Sequence, residues 1–422
     1  MEFDLVDFET LFKIPLKNGL SKPKKIRGIG YPMVNMGELF KHDIIFDIDM
    51  DFVPMNEREK THSYLKKYDL LFARQSLTLA GAGKCSIFLG ESCETTYESH
   101  LIRVRLDQEK CNPLFYYYYF QSQHGKSNMS NIVEQVAAAG IRGSDLKKLK
   151  VPYVEKSIQD TIVKLLYGFD EKIELNKQII NNIQEITKNI FKHWFINFEF
   201  PNEEGKPYKS SGGEMVESEL GLIPAKWSIV KLSNITTLLK KTFNPRKTNL
   251  TQVMHFSLPA YDKNQQPIFD DVSTIKSNKW LIEENCVIFS KMNPSTPRVW
   301  LTTINKEFFS VASSEFVVLK SESKEMNSFI YNICKSEVFN SYLTTHATGS
   351  TNSRQRVTPT VALKFSIALD DNIIKSYSKK IVGMTETIKL LNKENAHLQK
   401  IRNIILPKLM TGEVKTIDVV EE

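Results

Sequence analysis

Two long stretches of the chain repeat apolar residues in a four-three rhythm that only a helix brings onto one face. The first runs through Ile158, Ile162, Leu165, Phe169, Ile173, Ile180, Ile183, Ile190 and Trp194, with Asn176 and Thr187 in two seam slots. The second runs through Ile373, Tyr377, Ile381, Met384, Ile388, Leu391, Leu398, Ile405 and Leu409, with Asn395 in its seam. Each spacing predicts a coiled-coil helix of about five heptads. Ser157 and Asp370-Asp371 are start signals, Thr411-Gly412 is a stop, and Pro407 is expected to kink or end the second helix early. A helix of about 37 residues is about 55 Å long, and one bare apolar stripe does not stay helical alone in water. The two stripes are therefore expected to bury against each other as an antiparallel pair that holds two globular domains apart. Asn176 or Asn395 then either fixes the register from a buried position or faces water.

Before each helix the pattern changes to short β-branched and aromatic runs between Gly, Pro and Asn. Asp43-Ile44-Ile45-Phe46, Leu70 to Arg74, Ser86-Ile87-Phe88-Leu89 and Leu101 to Leu106 read as strands. The chain also repeats itself. A shift of 215 places Ser99 on Ser314, Asn112 on Asn327, Tyr116 on Tyr331, Ile158 on Ile373 and Gly168 on Gly383, while a shift of 217 places Leu70–Arg74 on Val287–Lys291. One order of identities across two kinds of element points to duplication, with the register drifting by two at a loop. The run Pro113 to Phe120 has the look of an aromatic platform for bases, but its counterpart Asn327 to Tyr331 reads as an ordinary core helix, so core packing is expected. Between the repeats, Pro201 to Pro207 and Ser210-Ser211-Gly212-Gly213 form a polar, turn-rich connector.

At 422 residues, 41% hydrophobic and 25% charged, the chain is ordinary globular material for two to four folding units. Its five cysteines are scattered, with no CxxC pair and no disulfide framework. An acidic N-terminus and the lack of any run of about 18 apolar residues argue against export and membrane insertion, so a reducing, cytoplasmic setting is expected.

The net charge of +7 divides as +2 over residues 1–150, −2 over 151–216, +6 over 217–365 and +1 over 366–422, so the excess belongs to the two mixed domains. It gathers in clusters that recur in both repeats. Lys22, Lys24, Lys25 and Arg27 open the first, and Lys240, Lys241, Arg246 and Lys247 the second. Arg74-Gln75 and Lys291-Met292-Asn293 follow the shared strand. A third pair sits on Gly-bearing loops, with Arg142 and Ser144 in one and Ser350, Thr351, Asn352, Arg354, Gln355 and Arg356 in the other. Such side chains read base edges or hold phosphates, and glycine lets the backbone come close to a ligand. Any one cluster alone is equally well a solvated basic loop. Two sets on one chain imply two reading heads for DNA.

Motifs for chemistry are missing from the sequence. There is no Pro-Pro dipeptide, so no Asn-Pro-Pro-Tyr or Asp-Pro-Pro-Tyr loop for adenine methylation, and no GxxxxGK[ST] phosphate loop. Glu204-Gly205-Lys206 and Glu322-Ser323-Lys324 lack a preceding Pro-Asp and read as surface charge, and the eight histidines have no paired-ligand spacing. Two other readings stay open at this level: a self-contained methyltransferase and nuclease with the same recognition domains, and a coiled-coil scaffold that never meets DNA.

The second mixed domain is introduced by Gly221-Leu222-Ile223-Pro224-Ala225-Lys226-Trp227, and the chain closes with Ile405-Leu406-Pro407-Lys408-Leu409-Met410-Thr411-Gly412-Glu413-Val414. With the domain-helix-domain-helix order, these segments resemble the specificity subunit of type I restriction-modification systems along essentially the whole chain. The first domain departs from the pattern, since it lacks its own Pro-x-x-Trp introduction and its first strand is harder to align. The resemblance implies an α+β fold: two mixed α/β target recognition domains, separated by two long helices pairing as an antiparallel coiled coil, in an internal pseudo-twofold repeat. Its parts would be recognition domains at 1–152 and 217–366, spacer helices at 153–198 and 367–412, a linker at 199–216 and a tail at 413–422. It further implies no active site in this chain and an asymmetric two-part site on double-stranded DNA. Two modification subunits and two restriction subunits would be its partners. No cofactor is implied for this chain, with methyl donor, ATP and Mg2+ on the partners.

Overall fold

Alternation along Leu70–Ala73 shows how the first half is built, because both faces of this strand are buried. Leu70 and Phe72 enter one apolar cluster, Leu71 and Ala73 another. In the computed structural model, which describes residues 3–91, 94–135, 139–304, 307–349 and 355–413, this strand lies at the centre of a five-stranded sheet. The order is Phe12–Asn18, Leu101–Leu106, Leu70–Ala73, Cys85–Phe88, Ile44–Ile45, antiparallel except for the last pair. All four runs read as strands in the sequence fall in this one sheet. A smaller sheet, Asp51–Val53, Tyr31–Val34 and Thr96–Tyr97, lies beside it.

The helix Pro113–Gln121 packs its aromatic run into the first cluster. Tyr116, Tyr117, Tyr118, Tyr119 and Phe120 are all buried, and the hydroxyl of Tyr116 donates to the Pro152 carbonyl (3.1 Å) while that of Tyr118 donates to Asp170 Oδ2 (2.7 Å). Rings held in this way are core and offer no face to a base.

Chain segments and folding units do not coincide. Two compact units divide the molecule, one made of the chain up to Lys172 with the stretch from Leu398, the other of Ile173–His397. The first long helix thus gives about half its length to each unit, and the second about a third to the first unit and two thirds to the second. The first helix spans Lys156–Phe191 and runs into a wider π turn at Lys192–Ile196. Ser157 lies inside its first turn and does not cap it. The second helix spans Asp371–Thr411, capped by Asp370, whose Oδ1 accepts from the amides of Asn372 (2.9 Å) and Ile373 (3.0 Å).

Pro407 neither ends nor interrupts that helix as expected; it lies within it. The reason is packing: Leu406, Leu409 and Met410 are buried in the core of the first unit, and burial of three large side chains outweighs the lost backbone hydrogen bond. Gly412, at φ +71°, then turns the chain out.

Within each unit the two helices run antiparallel. In the first, Arg402 pairs with Asp170. In the second, Asn176 Nδ2 donates to Asn395 Oδ1 (2.9 Å) and Glu394 Oε2 (2.8 Å), and the Tyr377 hydroxyl donates to the Thr187 carbonyl (3.3 Å). Asn176 and Asn395 are buried, not facing water.

The second unit has a four-stranded sheet, Thr237–Leu238, Phe316–Lys320, Cys286–Ser290, Val299–Leu301, and a five-stranded one, Thr242–Phe243, Lys279–Leu281, Ser310–Ala312, Gln252–Phe256, Ile268–Asp271. Leu101 faces Ala73 in the first unit and Phe316 faces Ser290 in the second. These are the pairs that the shifts of 215 and 217 equate, so the drift of two lies in the segment joining paired strands and the strand register is the same. The strand that was hard to align is Asp4–Asp7, which pairs with Lys150–Tyr153 as Ser228–Lys231 pairs with Ser366–Leu369. The connector is ordered too: Phe200 stacks between Tyr208 (4.6 Å) and Trp227 (4.9 Å).

Candidate nucleic-acid interface

Two of the three polar clusters meet in each unit, through the same backbone contact. In the first unit the amide of Ile141 donates to the Arg74 carbonyl (2.9 Å), and Ala139–Gly140 pairs with Gln75–Ser76 as strands. In the second, the amide of Val357 donates to the Lys291 carbonyl (2.9 Å), and the amide of Asn293 donates to the Gln355 carbonyl (2.8 Å). The strand-end residues correspond as well, since Arg74 donates from its amide to His100 and Lys291 to Glu315. Loops more than 60 residues apart in sequence therefore form one polar edge in each repeat.

Side chains on these edges differ. Arg74 is exposed and has no side-chain partner among the described residues, whereas Gln75 Oε1 is held by His100 Nδ1 (3.0 Å). Between them and the short helical turn at Leu79–Gly81, Leu77 stands fully in solvent (101% exposed); polarity gave no signal for it. Arg142 pairs with Glu134 (2.6 Å), and the exposed Ser144 donates to Asp145 (3.2 Å). In the second unit Arg356 lies forked on Glu315 (3.1 and 3.3 Å), and Lys291 is half-buried without an ion pair among the described residues. Asn293 takes a left-handed conformation (φ +51°) and accepts from Ser295 (2.9 Å). Gln355 is half-buried at the start of this edge. Ser350, Thr351, Asn352 and Arg354 lie outside the described residues.

The opening clusters split by partner. Lys22 is tied to Glu59 (2.9 Å), and Arg27 to Asp51 (2.8 Å), Asn35 (2.9 Å) and the Lys22 carbonyl (3.1 Å), so these two brace their own loop. Lys24 and Lys25 ride exposed on a single helical turn, Lys24–Ile26. The second unit repeats the device: Arg246 and Lys247 are exposed on the turn Pro245–Lys247, which Asn244 caps by accepting from the Arg246 amide (2.9 Å). Lys247 also lines a cavity of about 570 Å³ with Thr242, Asn244 and Asn249. Lys240 is exposed, and Lys241 pairs with Glu283 (3.5 Å). No hydrogen bond or ion pair among the described residues joins an opening cluster to the loop edge of its own unit.

Three ionisable groups, His255, Cys111 and Cys286, are buried within the units. His255 Nδ1 meets Asp270 (2.7 Å) with its Nε2 buried and unpartnered among the described residues, and burial holds its pKa below the ordinary 6.5 although Asp270 pulls upward. Cys111 and Cys286 are raised by burial, to about 12 and about 11. Thiols held neutral in this way are packing groups.

Residues 3–185 match the family described as Type I restriction modification DNA specificity domain. The type I restriction enzyme MjaIX specificity subunit of Methanocaldococcus jannaschii is 23% identical over 407 residues, covering 94% of this chain and 89% of its own length. The EcoKI specificity subunit of Escherichia coli is 27% identical over 46% of this chain and 42% of its own. In fold, the chain is similar to the crystal structure of the type I restriction-modification system S subunit from M. genitalium, with a TM-score of 0.54 at 16% identity over 97% of this chain and 96% of that one.

Proposed function

We propose that the chain, which is similar to type I restriction-modification specificity subunits, is itself such a subunit and reads an asymmetric two-part DNA site for partners that carry the chemistry. The observation that carries this reading is the repeated polar edge. One backbone scaffold presents Arg74, Gln75 and Arg142 in one unit and Lys291, Asn293, Gln355 and Arg356 in the other. The same scaffold with different side chains is what two readers of two unlike half-sites require. In this reading residues 1–152 and 217–366 are the recognition domains. The helices at 153–198 and 367–412 space the two reading heads about one turn of DNA apart, about 34 to 36 Å, which leaves a fixed unread gap, and 199–216 and 413–422 are linker and tail. Lys24, Lys25, Arg246 and Lys247 hold phosphates.

The chain itself is not catalytic. Two modification subunits bind the methyl donor and take the target adenine out of the stack, which costs a few kcal/mol. Two restriction subunits use ATP and Mg2+. This division lets one modification enzyme serve any reader, in the cytoplasm where the DNA is.

The test is adenine-methylation mapping of genomic DNA from cells that carry the cognate modification subunit, with and without this chain. A split motif of two unlike halves appearing only with the chain is the expected result. An active partner with unchanged methylation sinks the reading, and methyl transfer by the purified chain alone would replace it with a self-contained enzyme.

A further inference from the structure

The first unit contains a buried arginine that the reading above leaves unused. Arg103 lies in the strand Leu101–Leu106, opposite Lys17 on one side and Leu71 on the other, and is 3% exposed. It donates to the Pro15 carbonyl (3.2 Å), its Nε is buried without a partner, and no carboxylate pairs with it among the described residues. Two residues on, Arg105 shows the usual solution. Its guanidinium grips Asp69 through two bonds of 2.7 Å, and the Asp69 side chain is wholly buried, so that carboxylate is spent. A buried cation without a counter-ion is costly unless something else supplies the charge.

Both arginines line a cavity of about 460 Å³, with Lys17, Lys60, His62 and Lys66 on its other walls and no acidic side chain among the lining residues. Lys60 is committed to Glu57 (2.6 Å). Lys17 and Lys66 are exposed and unpaired among the described residues, while the Lys66 amide is anchored on Asp69 Oδ2 (2.8 Å). The wall is shared with the opening cluster, because Lys60 and the Glu59 that holds Lys22 are neighbours on the helix Glu57–Ser63.

We propose that this cavity is an anion site that takes a phosphate group, with Arg103 as its buried counter-charge and Lys17 and Lys66 as its reachable cations. A guanidinium with free N–H groups and two mobile ammonium groups match the several acceptor oxygens of phosphate. The phosphate is either a backbone phosphodiester of bound DNA or free inorganic phosphate. Only the first source rests on the DNA-reading role.

Two titrations of the full chain test this, each on the wild type, on Lys17→Ala/Lys66→Ala, whose targets are exposed and leave the core intact, and on Arg103→Lys, which keeps the charge and removes the fork. The first follows inorganic phosphate by calorimetry at constant ionic strength. Binding by the wild type, weakened at least ~10-fold in both variants, is expected from the match of donors to oxygens. The second measures DNA affinity against salt on matched and mismatched duplexes. If the site holds a backbone phosphate, the slope of log affinity against log salt falls by about one in the double variant, equally for both duplexes. An unchanged slope with lost phosphate binding assigns the site to free phosphate. Phosphate binding that is absent or equal in all three proteins, together with coinciding slopes, overturns the proposal, while a wild-type preference for the matched duplex keeps the DNA reading. Phosphate binding without any sequence preference does the reverse.

Discussion

Arg27 and Lys24 lie three residues apart in one basic cluster, yet they differ in what they can do. Arg27 is held by three acceptors, whereas Lys24 has no ion pair among the described residues. Lys24→Ala/Lys25→Ala is expected to weaken matched and mismatched duplexes alike and leave the melting temperature unchanged. Arg27→Ala is expected to cost ~1 kcal/mol of stability, since the pair with Asp51 is partly exposed. Gln355→Ala, on the polar edge, is expected to cost about 1 to 3 kcal/mol on the matched duplex and to relax one base position. Titrations on single-mismatch duplexes at fixed salt separate these outcomes. His255 carries a pH prediction. Burial sets its folded pKa below 6.5 against the pull of Asp270, with the nearby Lys279 lowering it further. The unfolded chain then binds the proton first. Stability is full above about pH 6.5, falls as the pH drops toward the lower folded value, and levels off below it. His255→Gln should flatten that step in melting curves from pH 8 to 5, and an unchanged step would assign it to another group.

At the scale of elements, the helix pair shows how one polar contact specifies a register. Asn176 and Asn395 meet beside the apolar Ile173, Ile180 and Ile388, and Asn176 Oδ1 is left without a partner among the described residues. Asn176→Leu alone strands the buried amide of Asn395 and is expected to destabilise by about 1 to 3 kcal/mol. With Asn395→Leu added, this level of the seam becomes apolar on both helices. The loss is then expected to vanish or reverse, and sliding of the helices becomes possible. Thermal melts of the three variants give the cycle, and a double variant no more stable than the single one contradicts it. The seam was legible in the sequence because its spacing is set by helical geometry alone. The passage of the helix through Pro407 was not, because local preference says stop and only the core of the first unit, receiving Leu406, Leu409 and Met410, says continue.

At the scale of the molecule, chain order and folding units separate: the stretch from Leu398 completes the unit that begins the chain. Leu409 is 1% exposed in that core, and Leu409→Ala is expected to cost about 2 to 5 kcal/mol. Limited proteolysis should then open the first unit before the second, and simultaneous loss of both would show that they do not fold as separate units. The sequence by itself determined the repeat, four of the five strands of the central sheet and the helical seams, since each of these is a periodicity or a local string. Only the tertiary structure decided which charges are free. It tied Lys22, Arg27, Arg142 and Arg356 to carboxylates, left Lys24, Lys25, Arg74, Arg246 and Lys247 without ion pairs among the described residues, and joined distant loops into one edge per unit. A charge in a sequence carries no record of its counter-ion, because the fold, not the spacing along the chain, selects the partner: Arg142 takes Glu134 nearby and Arg356 takes Glu315 from a distant strand end.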